Sequence, residues 1–191
     1  MAALLTTLII VLGVVVLLPT GLIYSHYNRL MALDGRCDTA FADIDVHLKH
    51  RHNLIPGLVE TVRGYAKHEK NVLDRVTRAR SAALGAASPQ MKLEAEQQLG
   101  QSINAVLSIA ENYPELKASG HFRELSQQLA DAENRVTASR RFYNLAVEEY
   151  NVAIRQFPGS RIAHYRRLSR RQPFDLGIER VLFDEPIAIR F

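Results

Sequence analysis

Apolar residues recur at seven-residue spacing through much of the chain, which predicts long α-helices that pack on one another. In the segment after residue 26, two such columns of positions can be followed for about fifty residues. The first column is Tyr27, Asp34, Phe41, Leu48, Ile55, Val62, Glu69 and Val76, and the second is Leu30, Cys37, Ile44, Arg51, Leu58, Tyr65, Val72 and Ala79. Most of these positions are apolar, so the sequence predicts one helix with a stripe facing a bundle, ending near "LGAASPQ" at residues 84–90.

Pro56 lies inside this first helix pattern, although proline removes a backbone hydrogen bond and clashes with the preceding turn. The columns keep the same phase on both sides of Pro56, which a loop would have no reason to preserve. We therefore predict a continuous helix with a kink between Asn53 and Gly57. The alternative is a new helix that begins with Asn53 as its N-cap.

Two further helices are predicted, at about residues 90–113 and 121–157, with the turn "YPELKASG" between them. The second helix has an apolar stripe formed by Leu99, Ile103, Val106 and Ala110. In the third helix, one column holds Phe122, Leu129, Val136, Tyr143, Tyr150 and Phe157, and a neighbouring column holds Leu125, Ala132, Ser139, Ala146 and Ala153. Large residues beside small ones allow close helix packing.

The third helix is longer than the second, so part of its apolar surface has no evident partner in the sequence. Unpartnered apolar surfaces of this kind commonly mark an interface. We therefore expect a homo-oligomer. Its candidate interface residues are Ala132, Ser139, Tyr143, Ala146, Tyr150 and Ala153.

The N-terminal segment Ala2–Tyr24 contains no charged side chain. As a helix it would be about 35 Å long, enough to cross the hydrocarbon core of a bilayer. No lysine or arginine precedes the apolar run, which favours an uncleaved anchor over a signal peptide. Arg29 and Arg36 follow it, so the positive-inside rule places the N-terminus outside and the remaining chain in the cytoplasm.

Composition suits a folded chain built from long helices. The chain has 191 residues, of which 47% are hydrophobic and 23% charged, which argues against disorder. Cys37 is the single cysteine, so an intramolecular disulfide and a cysteine-cluster metal site are excluded. We expect an all-α protein with an anchor at residues 1–25, a long antiparallel helical bundle at 26–157 and a basic C-terminal tail at 158–191. The tail is expected to be irregular, with an extended segment in "ERVLFDEPIAIRF".

The strongest metal-ligand candidates are His47, His50 and His52, because the first two are spaced to share a helix face. Lys49 and Arg51 lie among them, and cations oppose binding of a divalent ion. A solvated role for these histidines is therefore favoured. The sequence also contains no HExxH, Walker, GxGxxG or GxSxG motif, so we expect neither an enzyme nor a bound cofactor.

Polar residues interrupt the apolar columns at Asp34, Arg51 and Glu69. Polar residues in a helix seam commonly fix its register, and this reading is favoured over a buried proton or ion site. The pairs Tyr143-Asn144 and Tyr150-Asn151 repeat at seven residues. Packing within the chain is favoured for these tyrosines over contact with a partner helix.

Arginines are concentrated in the stretch "RIAHYRRLSRRQPF". They are Arg161, Arg166, Arg167, Arg170 and Arg171. Such a cluster could contact an anionic lipid surface. Nucleic acid is the other phosphate-bearing partner, but it is not the one we expect. The alternatives are a solvated tail and arginines paired with acidic residues.

Several motifs together resemble the LemA family. They are "YNRL", "IDVHLKHRHNLIPGLVETVRGYAKHE", "NYPELKAS", "FRELSQQLADAENRV" and "RRFYNLAVEEYN" followed by "RQFP". The resemblance extends from about Leu4 to Ala163, whereas the arginine-rich stretch after Ala163 departs from the family's apolar tail. It implies a bacterial single-pass membrane protein with a long helical bundle, no defined catalytic activity and no known catalytic residues. We expect a membrane-anchored, self-associating scaffold in the inner membrane. The alternative is a binding module for anionic lipid or nucleic acid that uses the basic tail.

Overall fold

The computed structural model describes residues 2–87 and 89–174, apart from the side chains of residues 2–5, 8, 9, 11, 19, 89 and 90. Every regular element in these residues is a helix, as expected for an all-α protein. The helices are α1 (Ala2–Tyr65), α2 (Lys70–Gly85), α3 (Pro89–Ile109), α4 (Pro114–Ala118), α5 (Gly120–Ala153) and α6 (Gly159–Arg166). The extended segment expected in "ERVLFDEPIAIRF" lies outside the described residues.

Helix α1 passes through Pro56 without interruption, which confirms that the helix is continuous there. It does not continue to residue 84, however, because the chain leaves the helix after Tyr65 and resumes it at Lys70. The connecting turn is closed by the amide of Glu69, which donates to the Ala66 carbonyl at 3.1 Å. Glu69 interrupts one apolar column at this turn, but both columns resume in the same phase at Val72 and Val76. Because "AKHE" also contains neither glycine nor proline, the pattern concealed the break.

The described chain forms two compact units. The first unit contains the chain up to Phe41 together with Arg141–Pro173, and the second contains Ala42–Arg140 with Phe174. Both long helices, α1 and α5, contribute residues to both units.

In the first unit, α1 and α5 run antiparallel. Arg36 of α1 pairs with Glu149 of α5 at 2.9 Å, and the ring of Phe41 meets that of Tyr143 edge-on with centroids 5.6 Å apart. The pairing therefore moves backward along α5 as it moves forward along α1. The buried apolar residues of the first unit are Leu30, Leu33, Cys37, Ala40, Tyr143, Ala146, Val147, Tyr150, Ile154 and Ala163.

The second unit brings together α1, α2, α3 and α5 around its own apolar core. Asp45 pairs with Lys92 and Arg51 pairs with Glu96, so α1 and α3 run parallel. Arg51 also pairs with Glu133, and a Cβ atom built on Gly57 would lie 3.6 Å from a Leu125 methyl group, so α1 and α5 run antiparallel. The predicted stripe of the second helix, Leu99, Ile103, Val106 and Ala110, is buried in this core, which confirms it.

The first part of the expected tail is helical rather than irregular. Gly159–Arg166 form α6, with Ala163 buried. Arg167 ends this helix in the left-handed conformation with φ 55°, and the Leu168 amide donates to the Ala163 carbonyl at 2.9 Å. This closure is a Schellman-type cap. The high arginine content of the segment masked a short helix with a buried side.

The expected membrane span Ala2–Tyr24 falls partly outside the description, because eight of its side chains are among those that are not described. Within the described residues, a segment with the length and hydropathy of a membrane span is not found in any helix.

Candidate functional site

The first polar site is a clasp that holds the chain after α6 against α1 and α5. Arg171 Nε donates to Asp34 Oδ1 at 2.8 Å, and Arg171 Nη1 donates to Asp38 Oδ1 at 2.6 Å. The two acceptors are one helical turn apart on α1. We call this arrangement, with Tyr143, Tyr150, Asn151 and residues 169–172, the C-terminal clasp.

Helix α5 completes the C-terminal clasp through contacts with backbone groups. Asn151 Nδ2 donates to the Arg171 carbonyl at 2.8 Å, and the Arg171 amide donates to Asn151 Oδ1 at 3.0 Å. The Tyr143 hydroxyl donates to the Gln172 carbonyl at 3.0 Å, and the Tyr150 hydroxyl donates to the Ser169 carbonyl at 3.3 Å. The amide of Asn151 thus pairs with Arg171 as a neighbouring strand would.

Burial governs the titration of the groups beneath the C-terminal clasp. It raises the pKa of the Tyr143 and Tyr150 hydroxyls, and it raises the pKa of the Cys37 thiol. Hydrogen bonds to Asp38 and Asp34 raise the pKa of Arg171, in spite of its partial burial. The guanidinium also lies 5.8 Å from the centre of the Tyr150 ring. At neutral pH this site therefore contains the neutral hydroxyls of the two tyrosines and one charged arginine, which is paired with two aspartates.

The second polar site is a buried charge network in the second unit, formed by Arg51, His52, Glu96, Glu133 and Arg80. Arg51 is 2% exposed and donates to Glu96 of α3 and to Glu133 of α5. His52 Nε2 lies 2.9 Å from Glu96 Oε1, and neither atom has another hydrogen-bond partner among the described residues. Arg80 of α2 donates from Nε to the His52 carbonyl at 2.8 Å. Four helices are therefore joined through two adjacent residues of α1.

Glu96 is the central acid of this network and is almost completely buried. Burial alone would raise the pKa of its carboxyl, but the hydrogen bond and charge of His52, together with Arg51, outweigh it and hold the pKa below its usual value. Glu96 is therefore ionised at neutral pH. Arg51 thus joins α1 to α3 through Glu96 and to α5 through Glu133, an arrangement that suits the register-setting role expected for Arg51 from its place in the apolar column.

The candidate interface residues lie inside the chain. Ala132, Ser139, Tyr143, Ala146 and Tyr150 are buried, and Ala153 is partly buried. Tyr143 and Tyr150 belong to the C-terminal clasp. These residues pack within the subunit, so they do not form an exposed surface. On α5 the large exposed apolar side chains are instead Phe142 and Leu145.

The five candidate arginines have different surroundings. Arg171 is held in the C-terminal clasp, and Arg166 donates from Nη2 to the Tyr27 hydroxyl at 2.6 Å while lying over that ring. Arg161, Arg167 and Arg170 are exposed. The cluster is therefore divided between structural contacts and free charge.

The candidate histidines also diverge. His47 is partly buried, His50 is exposed, and His52 points to Glu96. In the part of the chain that the structure describes, no three histidine, cysteine or acidic side chains are grouped so as to hold a metal ion.

Sequence reasoning missed the partners in both sites, although some of the signals were present. Asp34 stood out as a polar residue in an apolar column, and Asn151 belongs to the repeated Tyr-Asn pair. Both proved to contact Arg171. Glu96 had no distinguishing signal, because nothing in its local sequence separates a buried glutamate from a solvated one.

A known family accounts for most of the chain. The model of the LemA family matches residues 40–191. The chain belongs to the LemA family. Among curated proteins, this LemA-family chain is similar to the magnetosome protein MamQ 2 of Paramagnetospirillum magneticum, at 22% identity over 203 residues, or 93% of this chain and 73% of the relative. MamQ of Magnetospirillum gryphiswaldense gives the same identity and shares. The protein LemA of Metamycoplasma hominis is 26% identical over 149 residues, covering 74% of this chain and 67% of the relative.

Proposed function

We propose that this LemA-family chain is a membrane-anchored helical scaffold that acts by assembly rather than by catalysis. The observation that carries the proposal is the apolar surface at the start of α1. Large apolar side chains there are between 51% and 72% exposed. They are Ile10, Leu12, Val14, Val15, Val16, Leu17, Leu18, Leu22, Ile23 and Tyr24.

An apolar surface of this extent would be unfavourable in water. Residues 2–24 carry no charged side chain, so the bilayer interior is the environment that suits them. Helix α1 continues unbroken from Ala2 to Tyr65, so the proposed anchor is the first part of a helix that also packs against the other helices. We place the anchor in the bacterial inner membrane, with the N-terminus outside and the helical units in the cytoplasm, on the strength of Arg29 and Arg36.

The two polar sites connect segments of the same chain, which suits the scaffold part of the proposal. Their charged groups are paired with opposite charges, apart from Arg80, which donates to a backbone carbonyl. The scaffold is proposed to self-associate, and Phe142 and Leu145, which are 50% and 61% exposed, provide a surface for this contact. They are three residues apart on α5 and share a face.

Flotation of full-length protein with phosphatidylcholine vesicles tests the anchor. Wild type should float and should resist extraction by alkaline carbonate. A Val15→Arg, Leu17→Arg double variant should lose most of its flotation and its resistance to extraction. The reason is that each arginine at the centre of a membrane span costs about 2.5–3.5 kcal/mol of insertion free energy. Val46→Arg is the matched control, since Val46 is equally exposed but lies outside the apolar run. Wild type that stays with the soluble fraction would overturn the proposal.

Orientation is tested separately on membrane vesicles. With Cys37 replaced by alanine, a cysteine at exposed Lys117 should react with an impermeant maleimide in inside-out vesicles and stay protected in intact spheroplasts. The reverse pattern would place the helical units outside.

A further inference from the structure

An open groove of about 520 Å³ lies in the first unit, next to the end of the apolar run. One wall is formed by residues 26–36 of α1. The other is formed by residues 149–159, which include the end of α5 and the turn into α6. All of these residues belong to the first unit.

The charged lining of the groove consists of two arginines and one acid. Arg29 and Arg36 face it together with Glu149, which already pairs with Arg36 at 2.9 Å, and the ring of His26 adds a polar group. Arg29 is exposed, and its side chain has no ion pair or hydrogen bond among the described residues. The groove therefore attracts an anion, and it has no free carboxylate among its described lining residues to answer an ammonium group.

The remaining lining is apolar. Leu30 and Val152 form part of the walls, and Phe157 at the rim is 83% exposed. A small hydrophilic anion would make no use of these side chains. A ligand with both a phosphate and a hydrocarbon part would contact both kinds of lining.

The position of the groove along α1 indicates its level relative to the proposed bilayer. At a rise of 1.5 Å per residue, Arg29 lies about 8 Å beyond Tyr24. If the apolar run occupies the hydrocarbon core, this distance places Arg29 at the level of the lipid headgroups, which extend roughly 5–8 Å beyond the core. Exposed aromatic side chains such as Tyr24 and Phe157 are also typical of this level.

We propose that this groove binds one anionic phospholipid. Arg29 and His26 contact its headgroup phosphate, and Leu30, Val152 and Phe157 cover the glycerol and the upper acyl chain. This inference rests on the proposed membrane anchor and adds a lipid class to it.

The test counts bound lipid on full-length protein in nanodiscs that contain phosphatidylglycerol and phosphatidylcholine, followed by native mass spectrometry in mild detergent. Wild type should retain phosphatidylglycerol in preference to phosphatidylcholine. Arg29→Gln should lower this preference about fivefold, as expected for removal of one cation near a lipid surface. Arg155→Gln is the matched control, because Arg155 is exposed in the same unit but does not line the groove. Equal losses in the two variants would show only general surface charge and would overturn the site.

A second variant fills the groove without changing its charge. Ala32 is an exposed lining residue, and Ala32→Trp should displace the retained lipid while helicity and the number of subunits stay unchanged. Retention of lipid by this variant would contradict the proposal. Competition by millimolar inorganic phosphate would identify a free-phosphate site and would also overturn the lipid assignment.

Failure of the anchor and failure of the groove give different results. If wild type does not float with phosphatidylcholine vesicles, the proposed function is wrong. If it floats but retains both lipids equally, the anchor stands and the groove is not a site for anionic phospholipid.

Discussion

Arg171 and Asp34 are 137 residues apart in the sequence, and a hydrogen bond of 2.8 Å joins them. Asp34 occupies an apolar column of α1, where an unpaired carboxylate would be costly. The guanidinium of Arg171 answers this charge and also reaches Asp38. The segment after α6 is thus part of the first unit's stability, which makes Arg171 the first residue to test.

Arg171→Gln should lower the free energy of unfolding by about 1–3 kcal/mol, because two partly exposed charge-assisted hydrogen bonds are lost. Arg170→Gln removes the same charge from an exposed neighbour and should change it by less than about 0.5 kcal/mol. Urea denaturation followed by circular dichroism measures both. Equal stability of the two variants would mean that the C-terminal clasp contributes nothing.

Glu96→Gln should destabilise the protein at pH 7 by about 3–5 kcal/mol, because it leaves Arg51 buried beside a neutral amide. Glu133→Gln is the control in the same network. Glu133 is half exposed, so its loss should cost about 1 kcal/mol or less.

Comparison of wild type with Glu96→Gln also tests how stability depends on pH. The pKa of Glu96 is lower in the folded state than its ordinary value of 4.5. Its contribution is therefore fully present above pH 4.5 and is lost as pH falls through the folded-state pKa. Wild type should lose stability below pH 4.5 more steeply than Glu96→Gln. Identical acid profiles would show that Glu96 does not retain its charge through folding.

Cys37 should report on opening of the first unit. Its side chain is fully buried, and burial raises the pKa of the thiol, so little reactive thiolate is present or accessible. Its reaction with an aromatic disulfide reagent in native buffer should be at least about a thousandfold slower than in denaturant. An exposed reference thiol, Arg170→Cys in a Cys37→Ala background, should react at the same rate in both. Rapid native labelling of Cys37 would contradict the packing described for α1.

Gly159→Ala should be strongly destabilising. A Cβ atom at this position would lie 2.2 Å from the carbonyl oxygen of Ala153, a backbone atom that cannot rotate away. We expect the free energy of unfolding to fall by about 1–3 kcal/mol. Gly35→Ala is the control, because Gly35 lies in α1 with open space around it and should gain about 0.5–1 kcal/mol from better helix propensity. Thermal melts of the two variants should move in opposite directions, and a tolerated alanine at 159 would disprove the close approach.

Phe142→Lys, Leu145→Lys should weaken self-association while the fold is retained, because both side chains are exposed in the single subunit. Analytical ultracentrifugation of full-length protein in detergent compares the assembled fraction with that of wild type. Leu84→Lys, at an exposed apolar site on α2, serves as the control. A wild-type mass equal to one chain at micromolar concentration would rule out the proposed oligomer.

Seven-residue spacing in the sequence was sufficient to place much of the helix interior. Leu48, Ile55 and Val62 are buried, as are Leu129 and Val136. Such positions are predictable because the period of a helix alone decides which residues share a face. The continuity through Pro56 followed from the same argument, whereas the turn after Tyr65 carried no glycine or proline to reveal it.

Partnerships between distant segments were beyond the reach of that argument. In the sequence, the end of α5 has no visible partner because the helix before it is much shorter. The structure pairs it with the early part of α1, as in the contact between Tyr143 and Phe41. An apolar face looks the same in sequence whether its own chain or another covers it. The pairing of Arg51 with Glu96 likewise depends on which helices become neighbours.

The C-terminal clasp holds its segment largely through groups that every amino acid possesses. Tyr143, Tyr150 and Asn151 form hydrogen bonds with main-chain atoms of residues 169, 171 and 172. These contacts place no requirement on the side chains at Ser169 and Gln172, so both positions can vary during evolution. Among residues 169–172, which the structure describes, Arg171 is the one whose side chain forms hydrogen bonds in the clasp. Diverged homologues should therefore show an almost patternless stretch with a single recurring arginine. Trimming that stretch from an expression clone as dispensable filler would remove the piece that closes the first unit.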